Sequence, residues 1–342
     1  MRQASELAAA HDAPRVVALV LNYNGKQLTL DALDSLAAQR YANLTIVHVD
    51  NGSTDDSASA IAIAHPQVRT VRAAENRGPT GGLNLGLLVG LAGDYDYLLS
   101  LNNDIEADPD MVAEMVAVAE GDPMIGCVGP KTFYYDHPEV LWSAGGIVRF
   151  AEAATRERGM NRRDRGQYER TETVPYINGC AILMRRAAVE AAGPWDPAYE
   201  MSAEDADWCM RARRRGYRCV YAHRARLKHR VSATVGVYKP RRTFATGRSA
   251  AIFARRYAGP LGWLSFAAAM SAAIPVAYLR ERRHGNQAAA VSKLRGVADG
   301  LRVALAAPPT VDDLPALVPP WTDLGRGGDD AIRIDPAAAT AS

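Results

Sequence analysis

The sequence predicts an α/β fold, a mostly parallel, Rossmann-like sheet flanked by helices, with a C-terminal helical extension. Three observations carry this expectation. Strand and helix patterns alternate from Val16 onward, polar clusters sit where the apolar runs end, and from Ala251 the chain becomes alanine-rich and helical. Alternation of this kind needs crossover connections, and hence a parallel sheet covered on both faces.

"VVALVLNYN" reads as a buried strand, and "QLTLDALDSLAAQ" sets Leu28, Ala32, Leu33 and Leu36 on one helical face. "LTIVHVDNGS" is a second strand, followed by a helix that Ser53 and Asp55 are expected to open. "TVRAAEN" is a third strand, "TGGLNLGLLVGLA" a glycine-opened helix, and "YDYLLSLNND" a fourth strand. In the helix that follows, Asp108 is the expected N-cap and Pro109 the first helical residue. Ligands of open parallel sheets bind beyond the carboxyl ends of the strands. Asn22-Tyr23-Asn24, Asp50-Asn51-Gly52 and Asn102-Asn103-Asp104 therefore belong on one rim.

After Gly121 irregular strands, glycine pairs and Arg-rich turns run to about His229. The expected organisation is a flexible N-terminus over 1–13 and one domain over 14–250, in halves 14–121 and 122–250. A helical, membrane-associated extension over 251–305 follows, and then a disordered tail over 306–342, rich in Pro, Gly, Ala and Asp.

The composition, 48% hydrophobic and 23% charged in 342 residues, is that of a soluble globular protein. A net charge of +2 gives no reason to expect nucleic acid as a partner, although the Arg cluster from Arg149 to Arg248 suits acidic substrates or anionic headgroups. Cys127, Cys180, Cys209 and Cys219 lack Cys-x-x-Cys spacing, which argues against zinc and dithiol chemistry and for a reducing cytoplasm. The first residues lack the apolar core of a secretory signal. "LGWLSFAAAMSAAIPVAYL", 261–279, is uncharged between Arg pairs; its Ala, Ser and Pro275 favour an interfacial or re-entrant helix over a span, with a core or partner-facing helix as the alternative.

No Gly-x-Gly-x-x-Gly follows the first strand and no P-loop occurs, which disfavours NAD enzymes and P-loop NTPases. "VDNGSTDDS" offers the Asp50 carboxylate to the N–H of a uracil or thymine edge. "NRGPTGGLNLG" offers Gly81 and Gly82 for close backbone approach and Arg77 for a phosphate. Each alone reads as a turn or a loop. Their order with "LNND", "NGCAILMRR", "AEDADW" and "LKHRVSAT" is more specific. In that series the chain resembles, from about Val16 to Arg248, the family-2 glycosyltransferases of the GT-A fold, particularly rhamnosyltransferase-like members.

The resemblance implies an inverting transfer from a nucleotide-activated sugar, with Mn2+ or Mg2+ as cofactor. The nucleotide-sugar would lie against Asn22, Tyr23, Asn24, Asp50, Asn51, Arg77, Gly81, Gly82, Asn84, Asn102 and Asn103. "LNND" stands at the family's Asp-x-Asp element, so Asp104 is the expected metal-binding carboxylate, His229 a second ligand, and Asn102 replaces the first Asp. Asp205 is the implied base, with Glu204 beside it. Trp195, Asp207 and Trp208 fall on the acceptor side, Trp208 leaning to packing, and Arg241 and Arg242 lie in a segment expected to close over the diphosphate. The expected donor is dTDP-L-rhamnose, then a UDP-sugar. The expected acceptor is a lipid-linked or cell-envelope saccharide, met at the inner face of the cell membrane by a cytoplasmic, peripheral enzyme. The alternative is a non-catalytic sugar-nucleotide or glycan-binding partner of an assembly complex, supported only by Asn102.

Overall fold

The structure, a computed structural model, describes residues 13–151, 154–231, 239–318 and 320–324. Its first half is a repeated strand-helix unit: β1 (Val16–Asn22), α1 (Lys26–Ala37), β2 (Leu44–Asp50), α2 (Ser57–Ala64), β3 (Arg69–Ala73), α3 (Gly78–Ala92) and β4 (Tyr97–Asn102). The four strands pair in parallel in the order β3-β2-β1-β4. Because side chains alternate along a strand, Val16, Ala18 and Val20 enter one apolar layer and Val17 and Leu19 the other. Helix α1 covers the first layer with Ala32, Leu33 and Leu36, three of the four positions expected, while Leu28 is half-buried and Leu30 packs against the layer instead.

Next come β5 (Ile105–Ala107), α4 (Met111–Glu120), β6 (Ile125–Tyr134), β7 (Val140–Ser143), β8 (Gly146–Arg149), β9 (Ala154–Glu157), β10 (Arg162–Arg163), β11 (Glu172–Val174) and β12 (Ala181–Arg185). They are followed by α5 (Arg186–Ala192), α6 (Glu204–Arg214) and β13 (Arg218–His229). Strand β12 lies antiparallel between β4 and β6, so the parallel half ends at β4. The chain reaches β12 by a long excursion through β6 to β11 instead of a single crossover helix, which frees its direction. Strand β13 runs parallel to β6 and antiparallel to β5, while β8 and β9 form a separate hairpin.

Two helix starts lie later than expected. Helix α2 opens at Ser57, because the Asp55 carboxylate first closes a turn on the Ser57 N–H (3.2 Å). Helix α4 opens at Met111, after Asp108 has accepted the Asp110 N–H (3.1 Å). Both are local side-chain turns competing with the first helical turn.

The expected division at 250/251 falls inside α7 (Pro240–Tyr257), which continues through it. Helices α8 (Pro260–Arg282) and α9 (Gln287–Val303) follow, and α8 is continuous across Pro275. A disordered tail from 306 is corrected: after a 3-10 turn at Val311–Asp313 and α10 (Leu314–Leu317), β14 (Trp321–Asp323) pairs antiparallel with β3. Polar composition misled here because the strand is only three residues long. Residues 1–12 and 325–342 lie outside the described residues.

Helix α8 is the one helix among the described residues long and apolar enough to cross a membrane. Leu261, Leu264, Val276 and Leu279 on it are exposed. Helix α9 packs on α7 through glycines: a Cβ at Gly296 would collide with the Phe244 carbonyl and one at Gly300 with the Arg248 carbonyl. Gly300→Val should therefore overpack the crossing and cost about 1–3 kcal/mol. Urea unfolding checks this, with Arg295→Ala, at an exposed position of the same helix, as a control expected to change stability little.

Candidate active site

Register brings the predicted rim together. Asn22 stands beside Asp50 across β1 and β2, and Leu21 beside Asn102 across β1 and β4. Much of this polarity is spent inside the protein. Asn22, wholly buried, accepts from the Gly25 N–H (3.0 Å) and the Asn103 amide (3.1 Å) and donates to Ser57 (3.1 Å). Asn24, at φ 51°, accepts from the Thr54 N–H (2.7 Å). The Asn51 amide donates to the Gly78 carbonyl (2.8 Å) and to Asn76. These amides are joints between loops, a correction to the expectation that Asn22, Asn51 and Asn103 turn their side chains to a ligand. Gly82 admits α3 against β1, since a Cβ there would meet Leu21 and Asn51, and a Cβ at Gly81 would meet Arg77 of the same helix.

Asp50 differs. Its Oδ1 accepts the Ser53 N–H (2.9 Å), but its buried Oδ2 has no hydrogen-bond partner, with Arg72 Nε 3.3 Å away. Nearby Tyr23 is exposed, and Arg77, half-exposed, pairs with Glu75 at 2.8 Å.

The "LNND" turn is shaped by a short ladder. Strand β5 leaves the line of β4 and pairs antiparallel with β13, setting Ile105 against His229, and the Arg230 N–H donates to the Asp104 carbonyl (2.8 Å). Two residues 125 positions apart thereby meet: Asp104 Oδ1 lies 2.9 Å from His229 Nε2. Both atoms are buried, and neither they nor His229 Nδ1 has a hydrogen-bond partner. The Trp142 and His229 rings stand perpendicular to one another with centroids 4.9 Å apart. Orphaned buried polar atoms are costly. Ligands adjacent on an octahedral ion with bonds of about 2.1 Å stand roughly 3 Å apart. A hard carboxylate oxygen and an imidazole nitrogen at 2.9 Å thus fit Mn2+ or Mg2+.

Across the same rim, Cys180 lies beside Asn102, whose N–H donates to the Cys180 carbonyl (3.0 Å). The turn just before it, Asn178-Gly179, holds Asp205: the Gly179 N–H donates to Asp205 Oδ2 (2.8 Å). Asn178 of the same turn donates to Glu157 (3.0 Å), so Asp205 and Glu157 are both held by the turn that leads into β12, the strand beside β4 and the "LNND" end. Helix α6 begins here from Ser202 and Ala203, both at φ 64°. Two successive left-handed non-glycine residues mark a strained entry that aims the first helical turn.

Burial, then the neighbouring Glu204 charge, pushes Asp205 up to about 8. Burial also raises Glu204, whose Oε2 is buried without a partner. Sequence reasoning missed Glu157. It is buried, bonded by Ser143, Tyr176 (2.9 Å) and Asn178 (3.0 Å), and pushed up to about 7 by burial and then by the Asp205 charge. All three donors are neutral, so no cation offsets it. Asn178, next to the turn that binds Asp205, couples the two carboxyls.

The acceptor-side expectations are corrected. Asp207 is wholly buried and takes Arg211 (2.8 Å), Tyr257 (2.7 Å), Tyr199 (3.1 Å) and Arg256 (3.3 Å), tying α6 to α7. Trp195 and Trp208 are core residues with ring centroids 6.0 Å apart, and Trp208 donates to the Gly193 carbonyl. Asn84, expected at the donor, is buried and clasps the Trp195 backbone through both ends of its amide (2.9 Å each). One signal was available: residues two apart on a helix point about 200° apart, so Asp205 and Asp207 cannot share a cleft. Arg241 and Arg242 sit in the first turn of α7 and not in a loop, because Pro240 starts that helix at N1. The preceding segment, 232–238, lies outside the described residues.

The architecture is that of the GT-A glycosyltransferases. The chain resembles the solved mannosyltransferase PcManGT from Pyrobaculum calidifontis, a complex with GDP-Man and Mn2+, at a TM-score of 0.54 and 20% identity. That match covers 84% of this chain and 88% of that one. The chain belongs to glycosyl transferase family 2, whose model its residues 18–193 match. Among curated relatives, a Staphylococcus aureus poly-β-1,6-N-acetyl-D-glucosamine synthase is 28% identical over 236 residues, covering 67% of this chain and 53% of the relative. The chain thus spans about half the length of that relative. An N-acetylglucosaminyl-diphospho-decaprenol L-rhamnosyltransferase of Mycobacterium tuberculosis is 27% identical over 251 residues, covering 67% of this chain and 81% of that one.

Two raised carboxyls carry a pH signature. Folding favours their protonated forms, so their contribution to stability is full below the unfolded values near 4 and is lost as pH rises through about 7 and 8. Asp205→Asn removes a loss that grows with pH. The melting temperature of this variant should match the parent near pH 4 and exceed it by a margin that widens up to about pH 8. A constant margin, read by differential scanning fluorimetry across that range, would contradict the burial of an uncompensated carboxyl.

Proposed function

We propose that this family-2 glycosyltransferase is an inverting, divalent-cation-dependent enzyme. It moves a sugar, L-rhamnose first, from a nucleotide donor to a lipid-linked or cell-envelope saccharide. The observation that carries the reading is the convergence on one rim of the partnerless Asp104–His229 pair and the partly uncompensated Asp205.

In this reading Asp50 Oδ2, buried with no hydrogen-bond partner, accepts the N–H of the pyrimidine base. Asp104 and His229 would hold Mn2+ or Mg2+, which when bound supplies positive charge beside the departing diphosphate. Asp205 takes the proton of the acceptor hydroxyl as that oxygen attacks the anomeric carbon from the face opposite the diphosphate. A carboxyl held near 8 is a stronger base than an ordinary one once ionised. Burial, and then the negative charge of Glu204, keep it so. Asn102, half-buried at the strand end, meets ribose or sugar, and Arg241 meets phosphate oxygens, for which Arg77 and Arg242 exchange their protein contacts.

Similarity to the mycobacterial rhamnosyltransferase supports dTDP-L-rhamnose as donor, with a UDP-sugar second, and the diphospho-decaprenol in that relative's name supports a lipid-linked acceptor. The division into a donor half over 14–121 and an acceptor half over 122–250 belongs to the same proposal. So does a peripheral position at the cytoplasmic face of the membrane. It is supported by the exposed apolar side of α8 and by a groove of about 360 Å³ between α8 and α9, lined by Ile274, Tyr278, Leu279, Val291 and Leu294. Arg280, Arg282 and Arg283 at the end of α8 suit anionic headgroups.

Asp205→Asn should lower turnover about 10²–10⁴-fold while thermal-shift titration with a dTDP- or UDP-sugar and Mn2+ still reports donor binding. Asp104→Ala should abolish the Mn2+-dependent part of that shift. Near-normal transfer by the Asp205 variant would remove the base from the scheme. A parent protein that binds donor but neither transfers nor hydrolyses it would favour the non-catalytic reading.

A further inference from the structure

A second cluster of chemically active side chains lies one helical turn behind Asp205. Cys127 on β6 and Cys219 on β13 are register partners across a parallel ladder, and Cys209 on α6 comes down over both. All three thiols are buried, at 1%, 1% and 0% exposure, and their sulfurs all lie within 4.8 Å of one another, with Cys127 and Cys209 3.9 Å apart. Nothing in the cysteine spacing foretold this, because the three come from a strand, a helix and another strand.

Three thiolates around one ion at bonds of about 2.3 Å, in a plane, hold their sulfurs roughly 4.0 Å apart. The Cys127–Cys209 separation of 3.9 Å has that spacing, and no pair in the cluster exceeds 4.8 Å. The Ile177 N–H donates to Cys209 Sγ (3.4 Å), the kind of contact that favours a thiolate. Hydrogen bonds with Cys127 and Cys209, and then the charge of Arg213, lower the Cys219 thiol, while burial pushes the Cys127 and Cys209 thiols up, so that an ion must replace their protons. Three thiolates with a divalent ion carry one net negative charge, which that guanidinium opposes. A monovalent ion would leave two negative charges in an apolar core, a costlier arrangement. Sulfur donors prefer soft ions, whereas the Asp104–His229 pair offers donors suited to hard ones. The two places would not compete for the same metal.

We propose that Cys127, Cys209 and Cys219 form a three-thiolate site for one soft divalent cation, Zn2+ or Cd2+. The bound ion clips the helix that bears Asp205 to strands β6 and β13. Binding replaces three S–H bonds by three sulfur–metal bonds and releases three protons to solvent, with no change of oxidation state. The proposal stands apart from the reading of the active site, since neither Asp104 nor His229 takes part.

The test uses the full chain, produced under reducing conditions in zinc-supplemented medium so that the closed site can fill during folding, and then desalted against a weak chelator. Elemental analysis should find one equivalent of Zn2+, exchangeable for Cd2+ with an ultraviolet thiolate-to-cadmium band, and the loaded protein should melt several degrees higher. Asp104→Ala should retain the ion; Cys209→Ala and, separately, Cys219→Ser should lose it. Absence of retained Zn2+ and of a cadmium band in the parent protein would overturn the proposal whether or not the variants fold. An ion kept by both cysteine variants, or lost in Asp104→Ala, would overturn it as well.

Discussion

Carboxyl groups buried at the edge of an apolar sheet, some of them with an unbonded oxygen, are the constraint on which the rest of this molecule depends. Asp50, Asp104, Glu157 and Asp205 are all buried, and Asp50, Asp104 and Glu204 each keep an oxygen with no hydrogen-bond partner. Ionised groups in such positions cost free energy. The surrounding structure has to hold them there. Two continuous apolar layers on either side of β1 and β4 do so, since they leave the strand ends no freedom to turn the groups into water. The short β5–β13 ladder does it for Asp104 and His229, and the two left-handed residues at 202 and 203 do it for Asp205.

The polar residues around these groups divide into two kinds. Asn22, Asn51, Asn84 and Asp207 are fully engaged by other protein atoms, and their work is to fix loops and helices against the sheet. Asp207 links α6 to the end of α7, so the helix carrying Asp205 is braced against the C-terminal helices as well as against the sheet. The residues left with unused capacity are the ones that can meet a ligand. A site of this design is preorganised: its donors and acceptors are fixed before anything binds, which is the condition under which electrostatic stabilisation of a developing charge is most effective.

The parallel half was legible in the sequence because period and length agree there. Buried runs of strand length alternate with amphipathic helices, and every polar cluster falls where a strand ends. The pairing of Asp104 with His229 was legible only through the order of motifs, since 125 residues separate them and no local pattern joins β5 to β13. Glu157 was invisible. It is one acid in an Arg-rich irregular stretch, and its three donors come from two other segments. Trp195 and Asp207 were placed on the acceptor side because an aromatic or acidic residue near a base reads as ligand-facing until helix geometry is applied. The tail was misread for the opposite reason: β14 is specified by the free edge of β3, a property of the sheet and not of residues 321–323 themselves.

The account rests on a hard cation held between Asp104 and His229 on the same side of the cleft as Asp205. A crystal of the full chain grown with Mn2+ and dTDP, with data collected at the manganese edge, tests this most directly. The account predicts one strong anomalous peak in contact with Asp104 Oδ1, His229 Nε2 and the diphosphate, with the Asp205 carboxyl facing the space beside that diphosphate. A peak away from both residues, or a diphosphate bound on the far side of β4 from Asp205, would contradict it.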